Sequence, residues 1–276
     1  MAAHSDNPLS HVIDHPNIEL PWWQYPWTWE IELPQIWGFQ ITRFMVMELI
    51  VAALMIAILI PVARHIKRTP YSRGWFMNMF ETMLLFIRDE VARPSIGGHG
   101  ADRFLPYLWT AFFFVLFSNL LGMIPGGAST TGNVNVTGVL ALMTFGVVLT
   151  AGMRESGVGG FWLAIVPHLD VPKLLKPPLW ALMFFIEVVG LLIKHSVLAI
   201  RLFANMFAGH MVLSVILGFI LMASAAGNSY IFYLVMPSSI AGVIALSFLE
   251  LLVAFLQAYV FTFLSAMFIG AAIHPH

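Results

Sequence analysis

The chain has no cysteine, which excludes disulfides, iron–sulfur clusters, thiolate nucleophiles and Cys-based zinc sites. It is also short of charge. Only 10% of its 276 residues are Asp, Glu, Lys or Arg, where a soluble domain carries about 25%. Cations are missing from whole regions: the first 40 residues contain neither Lys nor Arg, and neither do the 75 residues after Arg201. Nothing in these first 40 residues resembles a secretory signal, which is expected to show a positive start before an apolar core. There is no internal repeat and no low-complexity segment. What is present is apolar: 59% hydrophobic residues, with 23 Phe and nine Trp. This is the composition of an all-α polytopic integral membrane protein.

Residues 1–40 are rich in Pro and Trp (PWWQYPWTW) and carry Asp6, Asp14, Glu19, Glu30 and Glu32. They read as an external interfacial arm, partly irregular. Residues 41–276 read as a single membrane domain. The first span covers about 41–63 and ends before Arg64, His65, Lys67 and Arg68, a basic cluster that marks the cytoplasmic end and places the N-terminus outside. Residues 71–95, with Glu81, Arg88, Asp89, Glu90 and Arg93, predict a helix along the cytoplasmic surface. Spans follow at 104–124 and 136–153, joined by an uncharged loop, PGGASTTGNVN, that suits the outside face. Residues 158–169 are too short and Pro-bounded for a span.

Two stretches are too long for upright spans. Residues 178–223 would make a helix of about 69 Å at 1.5 Å per residue, and 231–273 is nearly as long, whereas the hydrocarbon core is about 30 Å thick. Either each stretch breaks, at Gly190, Gly209 or Gly218 in the first and Pro237 in the second, or the two form a long, steeply tilted hairpin through the turn at 224–230. The tilted hairpin is the preferred solution. It gives about five transmembrane helices in all and puts the C-terminus on the cytoplasmic side.

The hairpin carries Glu187, Lys194, His195, Arg201, His210 and Glu250, with Ser196, Asn205, Ser247, Gln257 and Thr262. A charge at mid-membrane costs roughly 2.5–3.5 kcal/mol on insertion scales, so each needs a reason. Glu187, Lys194 and Arg201 stand seven apart and share a helix face, with Asn205 one turn further on; His210 lies on the opposite face. Glu250 and Gln257 are also seven apart. An antiparallel return brings His210 level with Glu250, and Arg201 level with Gln257. Bland readings compete with functional ones. Glu187 and Lys194 can pair or snorkel. His195 can be a structural hydrogen-bonding group. His210 and Glu250 can simply lock two helices, and Asn205 and Gln257 can be ordinary interhelical bonders. Arg201 resists such a reading most, because no acid lies within two turns of it on its own helix.

The decamer RLFANMFAGH at 201–210 resembles the signature of subunit a of F-type ATP synthases. The likeness extends to IE at 186–187, to NLLGMIPGGASTTGNVNVT at 119–137 and to the spacing of Glu250 and Gln257, and covers about residues 40–273. It implies a hairpin packed against a rotating ring of small c-type subunits, each bearing one membrane carboxylate. It further implies b-type peripheral-stalk subunits, a separate catalytic head and membrane lipids as partners, with no nucleic acid, cofactor or metal. The chain would be no enzyme by itself but the proton-channel subunit of the complex, in a bacterial inner membrane or an equivalent one. By resemblance Arg201 faces the ring as an electrostatic gate, Asn205 and Gln257 are its polar neighbours, and His210 and Glu250 line one aqueous half-channel. Glu187 matches a further polar position; it and His195 are added as candidates for the proton path. The ion is expected to be H⁺. The rivals are a proton-coupled secondary transporter, which needs a midplane substrate site and usually repeats; a membrane haem protein, for which no matching axial pair exists; and a membrane protease, for which no nucleophile–base pair or metal-binding His cluster stands in the spans.

Overall fold

The computed structural model describes residues 17–19, 30–32, 35–36, 39–40, 42–68, 74–98, 100–124, 130–166, 176–225 and 229–274. The long apolar runs are helices: α1 (Arg43–Arg68), α4 (Ala101–Gly122), α5 (Val134–Ser156), α7 (Lys176–Ala225) and α8 (Ser229–Ile273). These five are long and apolar enough to cross a membrane. Shorter helices are α2 (Trp75–Phe86), a π-helical stretch (Ile87–Ala92), α3 (Arg93–Ile96) and α6 (Val158–Ala164). The chain is a multi-pass, all-α membrane protein with one addition. Its N-terminal arm carries two small antiparallel ladders, β1 (Asn17–Glu19) with β2 (Glu30–Glu32), and β3 (Gln35–Ile36) with β4 (Phe39–Gln40). The Trp rings expected at the headgroups lie outside the described residues.

Helix boundaries depart from the expected ones in instructive ways. α1 continues through Pro61 and the basic cluster to Arg68, beyond the expected end at Ala63. A helix does not stop where the apolar run stops, because charged side chains reach outward while the backbone goes on bonding to itself. Pro237 lies inside α8 and breaks nothing. α7 is likewise unbroken over 50 residues and α8 over 45. At about 1.5 Å per residue these are about 75 and 68 Å long, so neither fits upright in about 30 Å of hydrocarbon. Of the two solutions, the unbroken hairpin is the one adopted. Six hydroxyls within the spans are satisfied locally: Thr144, Ser196, Ser214, Ser247, Thr262 and Ser265 each donate to the carbonyl four residues back. A helix can therefore carry them without water.

The chain divides into two compact units, Met1–Ile58 with Phe114–Val134 and Leu202–Gln257, and Leu59–Phe113 with Asn135–Arg201 and Ala258–His276. In the first, α7 and α8 pair antiparallel: Asn205 meets Gln257, Gly209 meets Glu250, and Ile216 meets Gly242. Beyond these contacts much of the hairpin is bare and apolar, with Leu217, Leu221 and Met222 of α7 and Tyr233, Leu234 and Phe248 of α8 exposed.

In the second unit, α2 and the π-helical stretch run antiparallel to α4. Phe80 stacks on Phe113, the Trp109 indole donates to the Leu84 carbonyl at 3.1 Å, and Arg88 pairs with Asp102 at 3.6 Å. The expected surface helix is thus tied along its length to a span. Here α8 is enclosed, with Phe261, Thr262, Ser265, Ala266 and Ile269 fully buried. Its last turn is clamped. Gly270 sits so close to the Ser95 carbonyl that a Cβ has no room, and His274 Nε2 meets the Ile96 carbonyl at 3.3 Å. Tyr107 of α4 shares a 2.6 Å hydrogen bond with Thr144 of α5.

Candidate functional site

The α7–α8 face in the first unit holds four of the predicted residues. Asn205 Nδ2 donates to Gln257 Oε1 at 2.6 Å, and Gln257 is only 4% exposed. Two amides that satisfy each other there avoid the cost of an unpaired polar group away from water. Toward the hairpin turn, Glu250 lays its carboxylate over Gly209, against the backbone of α7; any side chain at Gly209 would occupy the same space. His210, the next residue, is half-buried, and its Nε2 has no hydrogen-bond partner among the described residues. Its carbonyl accepts from Ser214 Oγ at 2.9 Å. Glu250 and His210 are thus brought to the same level, as the antiparallel reading requires, without a hydrogen bond or ion pair joining them among the described residues. A carboxylate and an imidazole left open in this way can each exchange a proton with a third party, which a closed salt bridge does poorly.

On the first half of α7, Arg201 stands at the centre of the 50-residue helix. Its side chain is exposed, and it makes no hydrogen bond or ion pair with any described residue. An arginine remains charged at any physiological pH. A lone guanidinium on an apolar helix calls for a counter-charge or water, and none of the described residues supplies a counter-charge. Lys194 is exposed and Glu187 half-buried, and they do not pair with each other among the described residues. His195 is placed differently from the rest. It is 5% exposed, its Nδ1 meets the Leu191 carbonyl at 2.9 Å, and its ring lies 5.0 Å from those of both Phe145 and Phe268. Its Nε2 is buried without a partner among the described residues. This is the setting of a packed ring that makes one hydrogen bond to its own helix.

The partner that Gln257 holds is Asn205. Sequence reasoning missed Gly209 as a site residue; it had been read only as a place where a helix might break. The signal was a glycine directly before the histidine in FAGH.

Comparison with known proteins bears on this arrangement. The family model described as ATP synthase A chain matches residues 45–270. A protein named ATP synthase subunit a from Chloroherpeton thalassium is 41% identical over 249 residues, covering 88% of this chain and 71% of that protein. One of the same name from Anaeromyxobacter dehalogenans strain 2CP-C is 38% identical over 282 residues, covering 97% of this chain and 70% of that protein. One from Myxococcus xanthus is 42% identical over 239 residues, covering 86% and 75% respectively.

Proposed function

This chain belongs to the family of ATP synthase A chains, and on that premise we propose that it is the non-catalytic, proton-translocating stator subunit of an F-type ATP synthase. The observation that carries the reading is Arg201: a permanent cation at the middle of a 50-residue apolar helix, exposed and without a partner among the described residues. A partner from another chain can answer it. A ring of small c-type subunits supplies one, because each brings a membrane carboxylate past the helix.

The mechanism follows from charge. A ring carboxylate facing lipid must be neutral, since an ion there is too costly. Beside Arg201 it can release its proton and remain as an anion. Arg201 cannot itself pass the proton on. It separates two aqueous half-channels and blocks direct leak between them. His210 and Glu250 load or unload protons in one half-channel, with Asn205 and Gln257 holding α7 and α8 in register around the gate. Glu187 is assigned to the proton path as well, whereas His195, packed between Phe145 and Phe268, is assigned a structural role in place of the proton-path role that the sequence suggested. Each proton falling through 100 mV releases about 2.3 kcal/mol, which drives the ring and, through it, a separate catalytic head. Residues 41–276 act as one membrane domain in a bacterial inner membrane or its equivalent, held by b-type stalk subunits, with the N-terminus outside and the C-terminus in the cytoplasm.

The test is Arg201→Ala in membrane vesicles carrying the assembled complex. Proton-driven ATP synthesis should vanish while passive proton leak persists or rises. Synthesis at the wild-type rate would refute the assignment.

A further inference from the structure

The stretch NLLGMIPGGASTTGNVNVT contributes a buried polar connection that the site description leaves unused. Asn119 in α4 and Thr131, in the 3₁₀ turn Thr130–Gly132 that leads into α5, both have 0% exposure. The Thr131 hydroxyl donates to Asn119 Oδ1 at 2.6 Å. The other end of the same amide, Nδ2, faces the main-chain carbonyl of Ala254 in α8 at 3.5 Å, and Ala254 too has no exposed surface. Ala254 stands one turn after Glu250 and three residues before Gln257, on the stretch of α8 that carries both.

The short bond and the long one have different jobs. The 2.6 Å bond fixes the amide: with Oδ1 held by the hydroxyl, the NH₂ must point at α8. The 3.5 Å contact is too long to contribute much attraction. Its effect comes from the alternative. If α8 turned about its axis, Ala254 would withdraw and leave a fully buried amide donor without its acceptor, which is costly. Turning α8 would also carry Glu250 off Gly209 and Gln257 away from Asn205. We propose that Asn119, braced by Thr131, is a positioning residue that fixes the rotation of α8 and so holds Glu250 and Gln257 at their places on α7. The inference rests on the reading that those residues form the proton-transfer site.

The competing reading is that this patch binds water and lines a path. Two buried hydroxyl oxygens there, Ser118 Oγ and Thr130 Oγ1, have no hydrogen-bond partner among the described residues. Two substitutions in the assembled complex separate the readings. Thr131→Val removes the brace and keeps its shape. Asn119→Asp keeps a water-binding group and an acceptor but loses the donor. Proton-driven ATP synthesis and its pH profile are measured in vesicles at matched content of assembled complex. A disulfide between cysteines placed at 205 and 257 reports the approach of the two helices. Both Thr131→Val and Asn119→Asp should lower the rate roughly fivefold or more, displace the pH optimum and reduce cross-linking, and Thr131→Ser should restore all three. A wild-type rate and pH profile in Thr131→Val overturns the proposal. So does full activity in Asn119→Asp, which points to water lining instead. Should Thr131→Val fail to assemble, Asn119→Asp and Thr131→Ser decide by the same readouts. Arg201→Ala is run alongside. Synthesis that persists there removes the reading of the site itself, whereas a normal Thr131→Val beside a dead Arg201→Ala removes the positioning role alone.

Discussion

Asn205 donates its side-chain amide to Gln257 across α7 and α8 at 2.6 Å, and the acceptor is almost fully buried. Replacing either partner with Leu leaves an amide in apolar surroundings. The cost should be about 1–3 kcal/mol, read as a lower unfolding temperature of the purified complex and weaker ATP-driven proton pumping. The exchanged pair, Asn205→Gln with Gln257→Asn, keeps one donor and one acceptor and should recover most of the loss. Leu variants as stable and active as the wild type would show that the pair holds nothing.

Gly209 leaves the space in which the Glu250 carboxylate lies, and a methyl group there would take that place. Gly209→Ala should therefore push Glu250 off α7 and depress proton-driven ATP synthesis by about tenfold, equivalent to about 1.4 kcal/mol. Glu250→Asp in that background shortens the side chain by one methylene and should win back part of the rate. A Gly209→Ala complex that works normally would mean that the seat of the carboxylate is unimportant.

His195 is enclosed by Phe145 and Phe268 and bonded to the Leu191 carbonyl. As a packing element it should tolerate Gln, which keeps a polar group of similar length, with a loss of about 1 kcal/mol in stability and no change in the pH profile of proton pumping. A displaced pH profile in His195→Gln would instead place this imidazole on the proton path.

Gly270 packs its backbone against the Ser95 carbonyl. Both sides of that contact are main chain, which cannot swing aside. Gly270→Ala should cost about 1–3 kcal/mol or more through overpacking, seen as a lower unfolding temperature and less subunit in the membrane. Gly146→Ala is the control, since nothing lies within 4 Å of a Cβ there. Equal behaviour of the two would show that the clamp on α8 yields easily.

How much could be read from the chain differs from residue to residue. The spans were legible because a bilayer imposes one requirement on every segment that crosses it, about 20 apolar residues with the backbone bonded to itself. Their ends were less so: α1 carries its basic cluster on the helix itself, and Pro237 sits within α8. Arg201, His210, Glu250, Asn205 and Gln257 could be singled out because polar groups are expensive in hydrocarbon, and helical spacing alone set the faces they occupy. The pairing of α7 with α8 followed from the turn between them. Gly209 escaped notice because a glycine declares nothing about what lies across from it. Asn119 and Thr131 escaped because a hydrogen bond between residues 12 apart, with a third partner 135 residues on, has no linear signature.

By itself, then, the sequence determined the solvent, which segments are long and apolar enough to cross it, the unusual length of the last two helices and the identity of the polar residues along them. Those are consequences of side-chain type and local periodicity, which act within a few turns of the chain. Tertiary structure alone decided which amide Gln257 holds, that Glu250 rests on a glycine without closing a bond to His210, and that His195 is wrapped in aromatic rings. Such choices depend on which surfaces meet at van der Waals distance, and a shift of one residue in the pairing of two helices would reassign every one of them.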